Sequence, residues 1–134
     1  MEFTVQTKGH YDFIDITEKV AEIARESKVA NGLVVVFISG STAAITTIEY
    51  EKGVLEDLKE VFERIAPEAR DYKHHQRWGD KNGAAHIKSA LVGTDLVVPI
   101  RDDKLQLGTW QQIVLIDFDE RPRKREIIVK IIKE

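Results

Sequence analysis

No cysteine occurs in the 134 residues. Disulfides, thiolate nucleophiles and thiolate metal sites are all excluded, so any metal must be held by His, Asp or Glu. Basic residues are not in excess: 20 Lys plus Arg against 23 Asp plus Glu give a formal net charge of -3. Such a chain lacks the positive field on which nonspecific nucleic-acid binding draws. Long apolar runs are missing as well, and no window approaches the ~18 continuous apolar residues of a membrane span. The opening Met1-Glu2-Phe3-Thr4 has no basic stretch leading into an apolar one, so no secretory signal is read there. Neither nucleic acid nor membrane is expected as a partner, and a cytoplasmic location is expected. Two domains of this combined length would be too small to hold without staples. One domain spanning 1–134 is expected.

Apolar periodicity is plentiful. Phe3 to Thr7 alternates as a strand does. Asp15 or Thr17 can cap a helix, Asp15-x-x-Glu18 having the capping-box form, with Val20, Ile23 and Ala24 as its apolar face. Asn31-Gly32 signals its end. Leu33 to Ile38 is a continuous β-branched run, the pattern of a strand covered on both faces. After the small-residue turn Ser39-Gly40-Ser41-Thr42, Ala43 to Tyr50 reads as a further strand. Val54, Leu55, Leu58, Val61, Phe62 and Ile65 then trace one face of a helix, with Pro67 beyond its end.

Residues 67–83 show no periodicity, and loops of that length are usually functional or disordered. Tyr72, His74, His75, Arg77 and Trp78 make a disordered linker an odd choice. Ala84 to Leu91 predicts a short helix; Leu96–Ile100, Gln112–Phe118 and Glu126–Ile132 predict strands. Two strand-rich blocks around two main helices predict an α+β domain with a largely antiparallel core.

Several residues could carry chemistry. Of the four histidines, three fall between His74 and His86. Imidazole is the commonest metal ligand and titrates nearest neutral pH, yet His74 and His86 stand too far apart in sequence to share a helical turn. A metal site and ordinary surface or interface histidines both stay open. Gly40-Ser41-Thr42 could present amides and hydroxyls to an anion or be a plain turn; it is not a P-loop. Glu49 is either a solvated strand-end charge or a base aimed into a pocket. Lys88 is either a point charge for phosphate or part of a solvated helix face. Trp110 suits a core or subunit contact, and Trp78 a lid or interface anchor. A Ser41 hydrolase reading lacks the G-x-S-x-G elbow. These residues outline a polar site built from segments 40–49 and 72–88.

Taken together, several stretches resemble one family. They are Gly40-Ser41-Thr42-Ala43-Ala44-Ile45-Thr46-Thr47-Ile48-Glu49, Tyr72-x-His74, Trp78-Gly79-Asp80-x-Asn82-Gly83-x-x-His86, Leu107-Gly108-Thr109-Trp110-Gln111-Gln112, and the closing Asp117-Phe118-Asp119-x-Arg121-Pro122-Arg123-x-Arg125-Glu126. In this order, over nearly the whole chain, they resemble the YjbQ family, small proteins also labelled secondary thiamine-phosphate synthases. The resemblance implies an α+β fold with a β-sandwich-like core, a homotrimer, and a histidine-containing site near subunit boundaries that binds a divalent metal, zinc or magnesium. Tyr72-x-His74 and His86 match the family's histidine positions, and Glu49 its acidic one. Many members carry a His where this chain has Gly40, so the chain resembles a subgroup with Gly-Ser-Thr there. Glu49, Asp80, His75 or a neighbouring subunit's residue would have to complete a metal set begun by His74 and His86.

Two functions follow as expectations. One is a transferase that joins hydroxymethylpyrimidine diphosphate to thiazole phosphate and releases diphosphate. In it His86, His74 and Glu49 act as acid, base or metal ligand, while Ser41, Thr42 and Lys88 hold phosphate oxygens. The other is a non-catalytic trimer binding a metal or a small phosphorylated metabolite through the same residues. A purely structural trimer, its loop histidines at interfaces, is the plainest alternative.

Overall fold

In the computed structural model, which describes residues 1–134, the two strand-rich blocks interleave into two antiparallel sheets. Strands β1 (Glu2–Gln6), β3 (Gly32–Ser39), β5 (Asp95–Arg101), β6 (Lys104–Leu105) and β8 (Lys124–Lys133) form the larger, in the order β1-β8-β3-β5-β6. Strands β2 (Asp12–Asp15), β4 (Ala43–Ile48) and β7 (Gln112–Asp117) form the smaller, with β7 central. Helices α1 (Thr17–Glu26), α2 (Lys52–Ile65), α3 (Lys73–Trp78) and α4 (Gly83–Val92) complete the chain.

Strand alternation sorts the apolar residues into two cores. Between the sheets, Val34, Val36, Ile38, Ile127 and Val129 meet Ala43, Ile45, Ile113 and Leu115, and α1 closes one end with Val20, Ile23 and Ala24. Burying each large aliphatic side chain here contributes about 1.5–3 kcal/mol. The opposite face of the small sheet presents Ala44, Val114 and Ile116 to Phe62 of α2 and Ala85 of α4. The result is a two-sheet sandwich with a helical layer on the small sheet. This is the expected α+β class: the two main helices and the short one at 84–91 are present, and α3 is the helix not expected.

The run Leu33–Ile38 is not covered on both faces. Val34, Val36 and Ile38 are fully buried, whereas Leu33 is 40% and Phe37 39% exposed. No helix lies on the outer face of the large sheet. Val97 and Ile132, which flank Leu33 and Val35 in the ladder, are also exposed there.

Helix ends follow local chemistry. Ile16 sits at the N-cap of α1 without a side-chain cap, and Asp15 acts from one position earlier, accepting from the Thr17 amide (2.9 Å) and hydroxyl (2.6 Å). Glu51 caps α2 by accepting from the Gly53 and Val54 amides at 2.8 Å each, and those two bonds hold its carboxyl below the usual glutamate range. The aperiodic stretch 67–83 contains α3, which ends where Gly79 takes a left-handed φ of 74°.

Candidate functional site

Six residues make a helix too short to be stable alone, so α3 is held by its surroundings. The Tyr72 hydroxyl donates to the Pro67 carbonyl at 2.7 Å, and His75 Nε2 accepts from the Gly83 amide at 3.1 Å. His75 thus ties α3 to the first residue of α4. Glycine is needed at that junction, because a Cβ on residue 83 would lie 2.8 Å from Tyr72 Cβ.

This junction brings His74 of α3 against His86 of α4, ring centroids 4.7 Å apart and tilted by 44°. Asp80, in the connection between the helices, places Oδ1 3.2 Å from His74 Nδ1. The approach is close enough for an ion pair but misdirected for a hydrogen bond. His74 Nδ1, Asp80 Oδ1 and Asn82 Oδ1 are all withdrawn from solvent without a hydrogen-bond partner. Burial pushes the His86 imidazole below its ordinary range, and His74 adds to this; Asp119, Asp80 and a backbone hydrogen bond to Ser41 oppose it. His86 is therefore neutral at pH 7. A cavity of about 510 Å³ opens beside the pair, lined among others by Arg70, Tyr72, Lys73, His74, His86 and Ile87.

The 40–42 turn reaches the pair only in part. Ser41 is exposed and its backbone meets His86. Thr42 is buried, and its hydroxyl is already committed, donating to Asp119 Oδ2 (2.8 Å) and accepting from Arg125 Nη2 (2.7 Å). Thr42 therefore braces the turn and is not free to hold a phosphate oxygen. At Gly40 the backbone has φ 149°, and a Cβ would lie 3.0 Å from the Arg125 guanidinium. The position is thus shaped here for glycine.

Two expected site residues lie elsewhere. Lys88 is fully buried, its ammonium bonded to the Tyr11 hydroxyl and 3.3 Å from Glu63 Oε1. It stands two residues from His86 on the helix, which turns it inward while His86 faces the cavity. Lys88 is no phosphate ligand. Glu49 follows the far end of β4 from Ser41, roughly 25 Å away at the rise of a strand. Within one chain it cannot join the histidines.

What sequence reasoning missed is the buried charge network beneath the turn. Arg125 grips Asp117 with two bonds, 2.7 and 2.9 Å, and Arg123 reaches Asp119 at 3.0 Å. Asp117 also accepts from the Thr7 hydroxyl at 2.6 Å, and Asn82 reaches Asp119 at 3.4 Å. Burial pushes the Asp119 carboxyl up, but bonds from Thr42, the Glu120 amide and Arg123 outweigh it and hold it below the usual range. The available signal was the pair of carboxylates at the end of the apolar β7 run, since buried charges need partners.

Two imidazoles side by side suit two positions of a zinc or other divalent centre. No set of three His, Asp or Glu side chains in the chain is arranged to hold an ion. His75 spends Nε2 on Gly83 and the Gly40 position offers no donor, so the chain by itself does not close a metal site.

The whole chain, residues 1–134, matches the family model described as "UPF0047 protein YjbQ-like". A UPF0047 protein of Archaeoglobus fulgidus is 43% identical over 130 residues, covering 97% of this chain and 98% of that one. One from Methanocaldococcus jannaschii is 36% identical, covering 98% and 92%. Among solved structures, a hypothetical protein of Aeropyrum pernix superposes with a TM-score of 0.92 at 31% identity, covering 100% of this chain and 98% of the other. A YjbQ/UPF0047 protein of Clostridium acetobutylicum gives 0.89 at 38% identity, covering 98% and 99%. A YjbQ-like protein of Sulfolobus solfataricus, described as of unknown function, gives 0.90 at 32% identity, covering 100% and 97%. Matched along its full length in both sequence and fold, the chain belongs to the UPF0047 family of YjbQ-like proteins.

Proposed function

We propose that the chain binds a small phosphorylated metabolite in the cavity between α3 and α4. The observation that carries this reading is the cavity lining: the cations Arg70 and Lys73 outnumber the one carboxylate, Asp71, and share it with the imidazoles His74 and His86. Arginine and lysine supply charge-assisted bonds to phosphate, and His86, neutral at pH 7, is available as acid, base or hydrogen-bond partner to the remainder of the ligand. The exposed Ser41 side chain is the one part of the 40–42 turn free to add a contact. Calorimetric titration with inorganic phosphate and with a series of phosphomonoesters tests the reading: binding by the wild type and its loss in His86→Ala is the expected result.

Turnover is the further reading. In thiamine-phosphate formation a cation must stabilise the departing diphosphate, a role that passes from Lys88 to Arg70 and Lys73. Its test is formation of thiamine phosphate from hydroxymethylpyrimidine diphosphate and thiazole phosphate, with identically prepared His86→Ala as the control. The homotrimer implied by the resemblance belongs to the same proposal. The uncovered apolar face of Leu33, Phe37, Val97 and Ile132 favours self-association, and a neighbouring copy is the source from which Glu49 would reach a histidine pair and add a metal ligand.

A further inference from the structure

The helical layer contains one junction that core packing does not require. Lys88 of α4 is a fully buried lysine. Its ammonium lies over the Tyr11 ring, 4.3 Å from the centroid, and is bonded to the Tyr11 hydroxyl. Glu63 of α2 meets the same point: its Oε1 lies 3.3 Å from Lys88 Nζ and accepts from the Tyr11 hydroxyl at 2.5 Å. The other oxygen, Oε2, accepts from the Glu68 amide at 3.1 Å. One carboxylate thus joins α2, α4, the β1–β2 connection and the backbone that leads into α3.

Each partner is set there at a cost. Burying the Lys88 ammonium costs desolvation that attraction to the half-exposed Glu63 carboxylate offsets only in part. Tyr11 is delivered by a strained backbone, with Gly9, His10 and Tyr11 all at positive φ (79°, 50° and 66°). Burial holds the Lys88 ammonium below its ordinary range although Glu63 opposes this. What the junction secures is geometry. Lys88 stands two residues from His86 on α4, and the Glu68 amide stands on the segment that runs to Tyr72 and His74.

We infer that Glu63, with Lys88 and Tyr11, is a positioning device that sets α4 against the 66–72 segment and so holds the His74 and His86 rings in contact. The inference rests on reading the cavity beside those histidines as the binding site. None of the three residues lines that cavity, so they act through the imidazoles and not on the ligand.

The experiment uses full-length Glu63→Leu/Lys88→Met, which removes both charges together and leaves an apolar filling, and Tyr11→Phe, which removes only the hydroxyl. Three readouts are taken: the thermal midpoint, the cross-peak between His74 and His86 ring protons in NMR, and the affinity for inorganic phosphate. The double variant should keep a cooperative thermal transition near that of the wild type. It should weaken the ring-to-ring cross-peak and lose about tenfold in phosphate affinity, about 1.4 kcal/mol. Tyr11→Phe should move the last two readouts in the same direction by a smaller factor, and it decides the matter if the double variant does not fold. An unchanged cross-peak in a folded variant overturns the inference. Should the wild type bind no phosphate, the binding reading fails, and the cross-peak comparison still decides the positioning role.

Discussion

His74 and His86 face each other with ring centroids 4.7 Å apart, although they belong to different helices and are twelve positions apart in the chain. Their meeting depends on α3 being folded back onto α4 by Tyr72, His75 and Gly83.

Gly83→Ala tests the fold-back directly. The added methyl would lie 2.8 Å from Tyr72 Cβ and 3.1 Å from His75 Nε2. Overpacking of this kind costs about 1–3 kcal/mol. Urea unfolding should show a lower midpoint, and phosphate affinity should fall together with the stability.

The charge network beneath the 40–42 turn should behave as a buried ion pair with one removable partner. Asp117 is fully buried and takes two bonds from Arg125. Arg125→Ala strands that carboxylate and should cost about 3–5 kcal/mol. Chemical denaturation measures it, and a loss below about 1 kcal/mol, the surface-pair range, would contradict the account.

Acidification should weaken the fold through His86. Its folded pKa lies below the unfolded one, so its contribution is complete above the unfolded value near 6.5. It is lost as the pH falls from there through the folded value, because the unfolded chain takes the proton first. Thermal midpoints measured downward from pH 8 should fall in that window for the wild type, and fall less for His86→Gln.

How much of this was legible in the sequence follows from where each signal resides. Patterning exposed the 54–65 helix by its 3.6-residue period, the strands at 96–100 and 126–132 by alternating burial, and the strand at 112–118 by a continuous apolar run. It could not reveal that the outer face of β3 is open, since apolar residues there read the same covered or not. The histidine pair was visible as a composition, yet α3 was not, because a six-residue helix fixed by one aromatic and one imidazole contact has no amphipathic period. Lys88 and Glu49 were misplaced for opposite reasons. A lysine on a helix between Ile87 and Ser89 carries no mark of the Tyr11 and Glu63 that bury it, and a strand separates Glu49 from the turn with which it was grouped.

The open face of the large sheet should be a contact between copies. Phe37 is 39% exposed among Leu33, Val97 and Ile132. Phe37→Asp places a charge there without disturbing the inner face, since neighbouring strand residues point to opposite sides. Light scattering should find the wild type associated and the variant reduced to single chains with their fold retained. Identical masses for the two would remove this face from the assembly.

Binding at the histidine pair is decided by titrating inorganic phosphate into the wild type and His86→Ala, with the fold of each checked by its thermal transition. The account predicts saturable binding by the wild type and a loss of at least about tenfold in the variant, or about 1.4 kcal/mol. The thermal midpoint should change little, because His86 is only half-buried. Equal affinity in the two folded proteins, or no binding by either, would contradict it.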